Sequence, residues 1–285
     1  MNLKFIKMHG CGNDYIFFDC FSQKINNPEK LAVKISDRHF GIGSDGIILI
    51  SSSKISDAKM TIYNNDGSLG GTCGNGARCT AKFLFDRREK FLKSKNCVTI
   101  ETSSERIIKI KKKKINFIET FEVDMGEALF KSIKVPVLTN LENTICYPLK
   151  IKNKLFNITC VSMGNPHCVI FCDKLSGLNI KTIGKEIEKH KIFPERANVD
   201  FVKILDKETI KLRVWERGSG ETLACGTAAC ASVVACVLNA FHQKNKKIKV
   251  IFPGGELYVT YKEKKVYMQG PATFVFEGIL NTDNF

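Results

Sequence analysis

Two short segments of this chain carry the same chemically capable pattern, a cysteine followed by glycine at the start of an apolar stretch. Residues 73–79 read CGNGARC and residues 225–230 read CGTAAC. Each pattern predicts a helix that begins directly after the cysteine. A helix N-terminus presents free N–H groups and the positive end of the helix dipole, which stabilise a thiolate and an anion beside it. Two such thiols, Cys73 and Cys225, could remove a proton from one side of a carbon atom and return it on the other.

The segments that lead into the two cysteines are also alike. Tyr63 lies ten residues before Cys73 and Trp215 lies ten residues before Cys225, and each ends an alternating apolar pattern. Further upstream, residues 7–13 (KMHGCGN) are similar to residues 162–167 (SMGNPH). A repeat of this length predicts two similar domains whose helix starts meet at an interface, which is a common place for a ligand. We predict an N-terminal domain at 1–120, to which 272–285 return, and a C-terminal domain at 121–271.

Short alternating runs dominate the rest of the chain and predict strands, for example at 107–110, 210–214 and 257–261. Helices are fewer, and the one after Cys225 is apolar on nearly every side as far as Leu238, so it must be enclosed. The predicted fold class is therefore α+β (mixed α/β), with two pseudo-symmetric domains that each curl a sheet or barrel around a central helix. The segment 118–157 has no motif, and we place the crossover there.

The composition predicts a soluble globular protein. The chain has 285 residues, of which 44% are hydrophobic and 26% charged. Its longest apolar run, 228–238, is far shorter than the roughly 20 residues that a membrane helix needs, so we expect no membrane span. The first ten residues lack the apolar core of a signal peptide, and we therefore expect a cytoplasmic protein.

Cysteine and lysine content raise two further interpretations, neither of which we favour. The twelve cysteines are too few for a disulfide scaffold and no export signal accompanies them, so we read them as mostly reduced thiols. They include no Cys-x-x-Cys pair, and we therefore expect no metal site. The formal charge of +15 invites nucleic-acid binding, but the lysines are spread along the chain and their clusters at 111–114 and 244–249 suit strand edges and turns. Nucleic-acid binding stays the non-enzyme alternative. The sequence leaves the oligomeric state open, a homodimer included.

The motifs taken together resemble those of the diaminopimelate epimerases over essentially the whole chain. Besides the two cysteine segments, the matching motifs lie at 7–14 (KMHGCGND), 38–46 (RHFGIGSDG), 63–68 (YNNDGS), 163–167 (MGNPH), 193–198 (FPERAN), 216–222 (ERGSGET) and 270–273 (GPAT). The resemblance implies two α/β domains with substrate in the cleft between them. It also implies epimerisation of LL- to meso-diaminopimelate without a cofactor, on the route to lysine and peptidoglycan.

The same resemblance assigns roles to individual residues. Cys73 and Cys225 would form the thiolate and thiol pair, and His167 and Glu216 would tune their pKa values. Backbone N–H groups at both helix starts would bind the α-carboxylate as it takes on enolate character. The predicted substrate-binding residues are Asn13, Asn64, Gly74, Asn75, Asn165, Asn198, Glu216, Arg217, Gly226 and Thr227. Cys79 and Cys230 are read as packing residues, and Arg78 and Arg196 are left outside the site.

Two departures from the family pattern and two rival functions remain. Gly46 stands where some members carry a glutamine that touches substrate, and the segment 69–72 is poor in polar side chains. A proline or hydroxyproline racemase of the same fold would also use two cysteines, although Arg217 and the asparagines suit a substrate with a distal amino-acid end. A pyridoxal phosphate enzyme is disfavoured because no glycine-rich phosphate loop accompanies a suitable lysine.

Overall fold

The computed structural model describes residues 2–71, 73–88, 92 and 95–281. The chain divides into two compact units, of which the first comprises Met1–Val123 with Gly270–Phe285 and the second Asp124–Gln269. The domain boundaries proposed from the sequence, 1–120 with 272–285 and 121–271, stay predictions. The departure noted at 69–72 ends on Thr72, which lies outside the described residues.

Among the described residues, the first unit contains two helices and eight complete strands, together with the greater part of a ninth strand. Its helices are α1 (Pro28–Ser36) and α2 (Gly74–Arg87). Its strands are β1 (Asn2–Gly10), β2 (Asn13–Asp19), β3 (Gly46–Ser51), β4 (Ala58–Asn64), β5 (Leu69–Gly70), β6 (Cys97–Thr102), β7 (Ile107–Ile115), β8 (Ile118–Glu127) and β18 (Thr273–Asn281). The strands pair in the order β18-β1-β2-β3-β4-β6-β7-β8, with β5 also on β4, and the β2/β3 and β4/β6 pairs are parallel.

The second unit contains the remaining strands, a 3-10 helix at Ser132–Lys134 and two helices, α3 (Ile180–Glu188) and α4 (Gly226–Leu238). Its strands are β9 (Tyr147–Ile151), β10 (Lys154–Ser162), β11 (Pro166–Phe171), β12 (Asn198–Ile204), β13 (Thr209–Glu216), β14 (Gly220–Thr222), β15 (Lys247–Phe252), β16 (Gly255–Lys262) and β17 (Lys265–Gly270). They pair in the order β9-β10-β11-β12-β13-β15-β16-β17, with β14 also on β13, and the β11/β12 and β13/β15 pairs are parallel.

The two units therefore repeat one strand order, with parallel pairs at the same two places. The helices correspond as well. In the first unit α1 precedes β3 and α2 precedes β6, and in the second unit α3 precedes β12 and α4 precedes β15. The predicted mixed α/β class is confirmed. The structure adds strands β8 and β9 in the segment 118–157, where we had placed only a crossover. β8 pairs with β7 and β9 pairs with β10. The alternation of apolar and acidic residues at 121–125 is the sequence signal for β8 that we missed.

The helices that follow the two cysteines lie inside their sheets. In the first unit α2 contacts β1 and β7, which stand near opposite ends of the strand order, and in the second unit α4 contacts β10 and β16 in the same way. Each sheet therefore curls around its helix. Nearly every residue of α4 from Gly226 to Cys236 is buried, as its apolar sequence predicts. Among the helices in the described part of the chain, none combines the length and apolar character needed to cross a bilayer.

Candidate active site

Cys73 is the N-cap residue of α2, as the sequence predicts. Its backbone is extended, with φ −115° and ψ 112°, and its sulfur accepts a hydrogen bond from the Gly76 N–H at 3.3 Å. The hydroxyl of Tyr15, on β2, lies 3.8 Å from the same sulfur. A Cβ at position 76 would come 2.7 Å from Ile48 Cδ1, so a larger residue there would displace the end of that side chain. The helix start therefore presents donors directly to the thiol.

The Asn13 side chain connects Cys73 to a charged network on the surface of the first unit. Its Oδ1 lies 3.5 Å from Cys73 Sγ and accepts a hydrogen bond from Asn75 Nδ2 at 3.2 Å. Its Nδ2 donates to Asp45 Oδ2 at 2.7 Å, and the other oxygen of Asp45 is 2.9 Å from Arg38 Nη2. Because both ends of the Asn13 amide are bound, its orientation beside the sulfur is fixed.

Arg78 lies beneath this cluster and is completely buried. Its Nη2 donates to Asn75 Oδ1 at 2.8 Å, its Nε donates to the Pro271 carbonyl at 3.0 Å, and its Nη1 is 3.4 Å from the Gly74 carbonyl. We had left Arg78 outside the site. The structure shows that its hydrogen bonds fix the Asn75 side chain and hence the first turn of α2.

Burial and hydrogen bonding have opposite effects on the Cys73 thiol. Burial raises the pKa of Cys73 above its ordinary value, because a thiolate loses hydration there. The Gly76 and Asn75 N–H groups, the Tyr15 hydroxyl and the positive charge of Arg78 all lower that pKa and partly offset burial. Burial therefore opposes ionisation of the Cys73 thiol, and the surrounding groups favour its thiolate.

Cys225 is the N-cap residue of α4 and occupies the equivalent place in the second unit. It is buried, and its sulfur lies 3.3 Å from Thr227 Oγ1. That hydroxyl accepts a hydrogen bond from Asn165 Nδ2 at 3.4 Å, and Asn165 Oδ1 lies 3.2 Å from His167 Nε2. Three predicted residues thus form one chain of contacts that ends at the Cys225 sulfur.

His167 has a second partner that sequence reasoning missed. Its Nδ1 lies 2.8 Å from Asp200 Oδ2, and both side chains are completely buried. The parallel pairing of β11 with β12 sets His167 beside Asn198, and Asp200 follows two residues later on the same face of the strand. The sequence offered one signal for Asp200, since its carboxylate stands between the apolar residues Val199 and Phe201 in the middle of the strand.

Glu216 ends β13 and lies beside Cys225. Its Oε1 accepts a hydrogen bond from the Thr222 hydroxyl at 2.5 Å. Burial raises the pKa of the Glu216 carboxyl, and the Thr222 hydroxyl, the Cys225 thiol and His167 act in the opposite direction. Burial and the negative charge of Glu216 raise the pKa of the Cys225 thiol well above its ordinary value. Cys225 is therefore held as a thiol.

Asn198 and Arg217 lie at the edge of this second cluster. The Asn198 amide donates to the Pro166 carbonyl at 2.9 Å and accepts from the Arg217 N–H at 2.9 Å, so it ties β11 to the end of β13. The Arg217 side chain is exposed, and its Nη1 donates to the Glu195 carbonyl at 2.8 Å. One edge of the guanidinium is thereby fixed while the rest faces outward.

Asn64 and Gly46 lie beside each other in the β3/β4 register, but Asn64 does not contact the Cys73 cluster. Its side chain donates instead to Ser68 Oγ at 3.0 Å, within the turn after β4. Gly46 has a φ of +154°, and a Cβ there would lie 2.2 Å from the Tyr63 carbonyl. This backbone therefore excludes the glutamine that some family members carry.

No group of three or more histidine, cysteine or acidic side chains suited to hold a metal ion occurs among the described residues. All twelve cysteines are free thiols. The chemistry available at both helix starts is accordingly that of thiols, amides, carboxylates and one histidine.

The fold defines the class of protein first. A probable proline racemase from Agrobacterium radiobacter superposes with a TM-score of 0.72 at 13% identity, and the match covers 99% of this chain and 94% of that one. A PhzF-family phenazine biosynthesis protein from Bacillus anthracis superposes with a TM-score of 0.69 at 17% identity over 99% of each chain. The chain therefore has the fold that these racemase-like proteins share.

Sequence comparison then identifies the family. The sequence model of the family described as diaminopimelate epimerase matches residues 5–131 and 159–275 of this chain. A diaminopimelate epimerase from Methanococcus maripaludis is 45% identical over 280 residues, which cover 97% of this chain and 99% of the relative. One from Acetivibrio thermocellus is 44% identical over 283 residues, with 97% and 98% covered. The chain belongs to the diaminopimelate epimerase family, and it is an epimerase of the class that works without pyridoxal phosphate.

Proposed function

We propose that the chain interconverts LL- and meso-diaminopimelate at one α-carbon, in the supply of lysine and peptidoglycan precursors. One observation carries the proposal: a cysteine is the N-cap residue of a buried helix in each half of a repeated fold, and each thiol lies within a cluster of amide and charged side chains. The names of the relatives support the choice of substrate.

The reaction needs one thiolate and one thiol. The thiolate takes the α-hydrogen as a proton, and the electron pair of the broken C–H bond moves toward the α-carboxylate. The other thiol then delivers its proton to the opposite face of that carbon, so the configuration inverts. Afterwards the two sulfurs have exchanged protonation states, and the reverse reaction uses them in reverse order. No redox change occurs, and one proton is taken up and one delivered in each turnover.

A thiol alone cannot remove so weakly acidic a hydrogen, because the ordinary thiol pKa is only about 8.5. The carbanion must therefore be stabilised as it forms. We assign this task to the backbone N–H groups of Gly74 and Asn75 and of Gly226 and Thr227, at the positive ends of α2 and α4. These groups would bind the α-carboxylate as its charge increases.

Side chains around the two thiols would recognise the remaining polar groups of the substrate. The Arg217 guanidinium suits the distal carboxylate, which it can bind through two N–H groups. The amides of Asn13, Asn165 and Asn198 can serve both ammonium and carboxylate groups without adding charge, and Asn64 would join them only by leaving its hydrogen bond with Ser68. Because a cyclic monoacid such as proline has no distal carboxylate, Arg217 favours diaminopimelate over proline.

Deuterium incorporation tests the proposal directly. Incubation with LL-diaminopimelate in heavy water should place deuterium at the α-carbon and form the meso isomer, and proline in a parallel reaction should gain none. The Cys73→Ala variant is the control for background exchange. Deuterium incorporation into LL-diaminopimelate no greater than in that control would refute the proposed reaction. Faster deuterium incorporation into proline than into diaminopimelate would show that proline is the substrate instead. Cytoplasmic location and a homodimer remain predictions.

A further inference from the structure

Asp200 is a buried charge that the thiol chemistry does not use directly. It lies in the middle of β12, between Val199 and Phe201, and its side chain is completely shielded from solvent. Its Oδ2 lies 2.8 Å from His167 Nδ1, whereas its Oδ1 has no hydrogen-bond partner among the residues that the structure describes. A buried carboxylate with a single partner is costly for stability, so packing alone does not explain it.

The position of Asp200 connects it to one thiol through His167. Both ring nitrogens of His167 face acceptors, Asp200 Oδ2 and Asn165 Oδ1, so both can donate when the imidazole carries two protons. Asn165 in turn donates to Thr227, whose hydroxyl touches the Cys225 sulfur. The ring of His167 can hold this orientation only if Nδ1 is anchored.

We propose that Asp200 is a positioning residue for the epimerisation: it anchors His167, and so orients Asn165 and Thr227 against Cys225. The inference rests on the proposed function. It is specific to the second unit, since Cys73 is reached through the Asn13 amide instead of a histidine. Without Asp200 the Nδ1 atom of the ring would lose its hydrogen-bond partner.

The first experiment measures epimerisation by Asp200→Asn, which keeps the shape of the side chain. We expect kcat to fall about 10- to 100-fold in both directions with a much smaller change in KM, as for loss of a charge-assisted hydrogen bond. Asp57→Asn is the matched control, because Asp57 also accepts hydrogen bonds, from Thr99 and Lys95, but contacts no site residue. The control should keep its activity within about twofold.

A double-mutant cycle separates positioning from a general structural role. If Asp200 acts through His167, then Asp200→Asn should cause less than about a twofold further loss in a His167→Gln background. Multiplication of the two single losses would overturn the inference. Wild-type kinetics for Asp200→Asn would also overturn it while leaving the proposed function intact. Absence of deuterium exchange at the α-carbon of diaminopimelate in the unmodified enzyme would instead refute the proposed function itself.

Spectroscopy on the unmodified protein keeps the inference testable even where the variant fails to fold. With ¹⁵N-labelled histidine, the His167 resonances are assigned by their loss in His167→Gln, since the chain has only five histidines. We expect a proton on Nδ1 with the strong downfield shift of a hydrogen bond to a carboxylate. An unprotonated Nδ1 would contradict the anchoring role of Asp200.

Discussion

The surroundings of Cys73 and Cys225 share a backbone arrangement and differ in charge. Each cysteine caps a buried helix and has an extended backbone. Around Cys73, however, the buried guanidinium of Arg78 lowers the pKa of the thiol, whereas the negative charge of Glu216 raises the pKa of the Cys225 thiol. The repeat therefore supplies two similar thiols, and the neighbouring side chains make one easier to ionise than the other.

Corresponding helix positions show where the difference arises. The fifth residue after each cysteine is Arg78 in α2 and Cys230 in α4, and both are buried. The second residue is Asn75 in one helix and Thr227 in the other. In the first unit the cation belongs to the helix itself, whereas in the second unit the charges come from Asp200 on β12 and Glu216 on β13. Two bases that alternate between thiolate and thiol need such an asymmetry.

The largest effect should follow loss of either sulfur. Cys73→Ala and Cys225→Ala should each lower epimerisation at least about 10³-fold, because one acid or base is then missing in both directions. Chiral chromatography of the diaminopimelate isomers measures this loss. Cys97→Ala, in β6, changes a cysteine outside both clusters and should retain activity. A variant at 73 or 225 with near-normal turnover would show that the two thiols are not a pair.

A smaller effect, on stability, should follow removal of the cation from the first unit. Arg78→Met leaves acceptors on Asn75, Gly74 and Pro271 without their donor, so the free energy of unfolding should fall by about 2–4 kcal/mol. The control is Arg87→Met in the same helix, where the exposed pair with Glu277 is worth less than about 1 kcal/mol. Urea unfolding compares the two. Equal losses would mean that burial of Arg78 does not matter.

Glu216→Gln should act on the second thiol alone. A carboxylate beside a thiol disfavours the thiolate, so its removal should lower the pKa of Cys225 and move the onset of alkylation by iodoacetamide to lower pH, by about one pH unit. The pH dependence of Cys73 alkylation, followed by peptide mapping in the same sample, should stay unchanged. A shift toward higher pH at Cys225 would reverse the sign assigned to this carboxylate.

In the unmodified protein the two thiols should differ in reactivity. Burial raises both pKa values, but the pKa of Cys225 is raised further, so iodoacetamide at pH 8 should modify Cys73 several times faster, by about threefold or more. Mass spectrometry of partially alkylated protein gives the two rates. Faster modification of Cys225 would contradict the charge difference between the two helix starts.

The smallest effect concerns a feature that the two helices share. Thr80 and Ser232 each lie seven residues after a cysteine, are completely buried, and place a hydroxyl where no partner is found among the described residues. Ser232→Ala should raise the free energy of unfolding by about 1 kcal/mol without loss of activity. Thermal unfolding and an activity assay measure both. Destabilisation would indicate that the hydroxyl of Ser232 has a partner after all.

Local features of the site were predictable from the sequence. A cysteine before glycine at the start of an apolar run identified both helix starts, because N-capping depends on neighbours in the chain. His167, Glu216 and the asparagines came from family motifs, and most of them contact one of the two clusters. Asn64 is the exception, since its side chain is bound within its own turn.

Asp200, Asp45 and Arg78 could not be assigned from residue type alone. Asp45 acts on Cys73 through Asn13, which is 32 residues away in the chain, and Asp200 reaches His167 across the parallel β11/β12 pair. Such contacts depend on strand register, which is set by pairing over long separations. An arginine in a helix is also usually exposed, and only the curled sheet explains why Arg78 is buried.

The sequence by itself determined the two thiols, their helix starts, the repeat and the mixed α/β class, because these follow from local pattern and periodicity. Tertiary structure alone decided how easily each thiol ionises. The pKa of a sulfur depends on its loss of hydration and on which charges the fold brings near it, and neither is written next to the cysteine in the chain. In this protein those charges are Arg78 for Cys73, and Glu216 and Asp200 for Cys225.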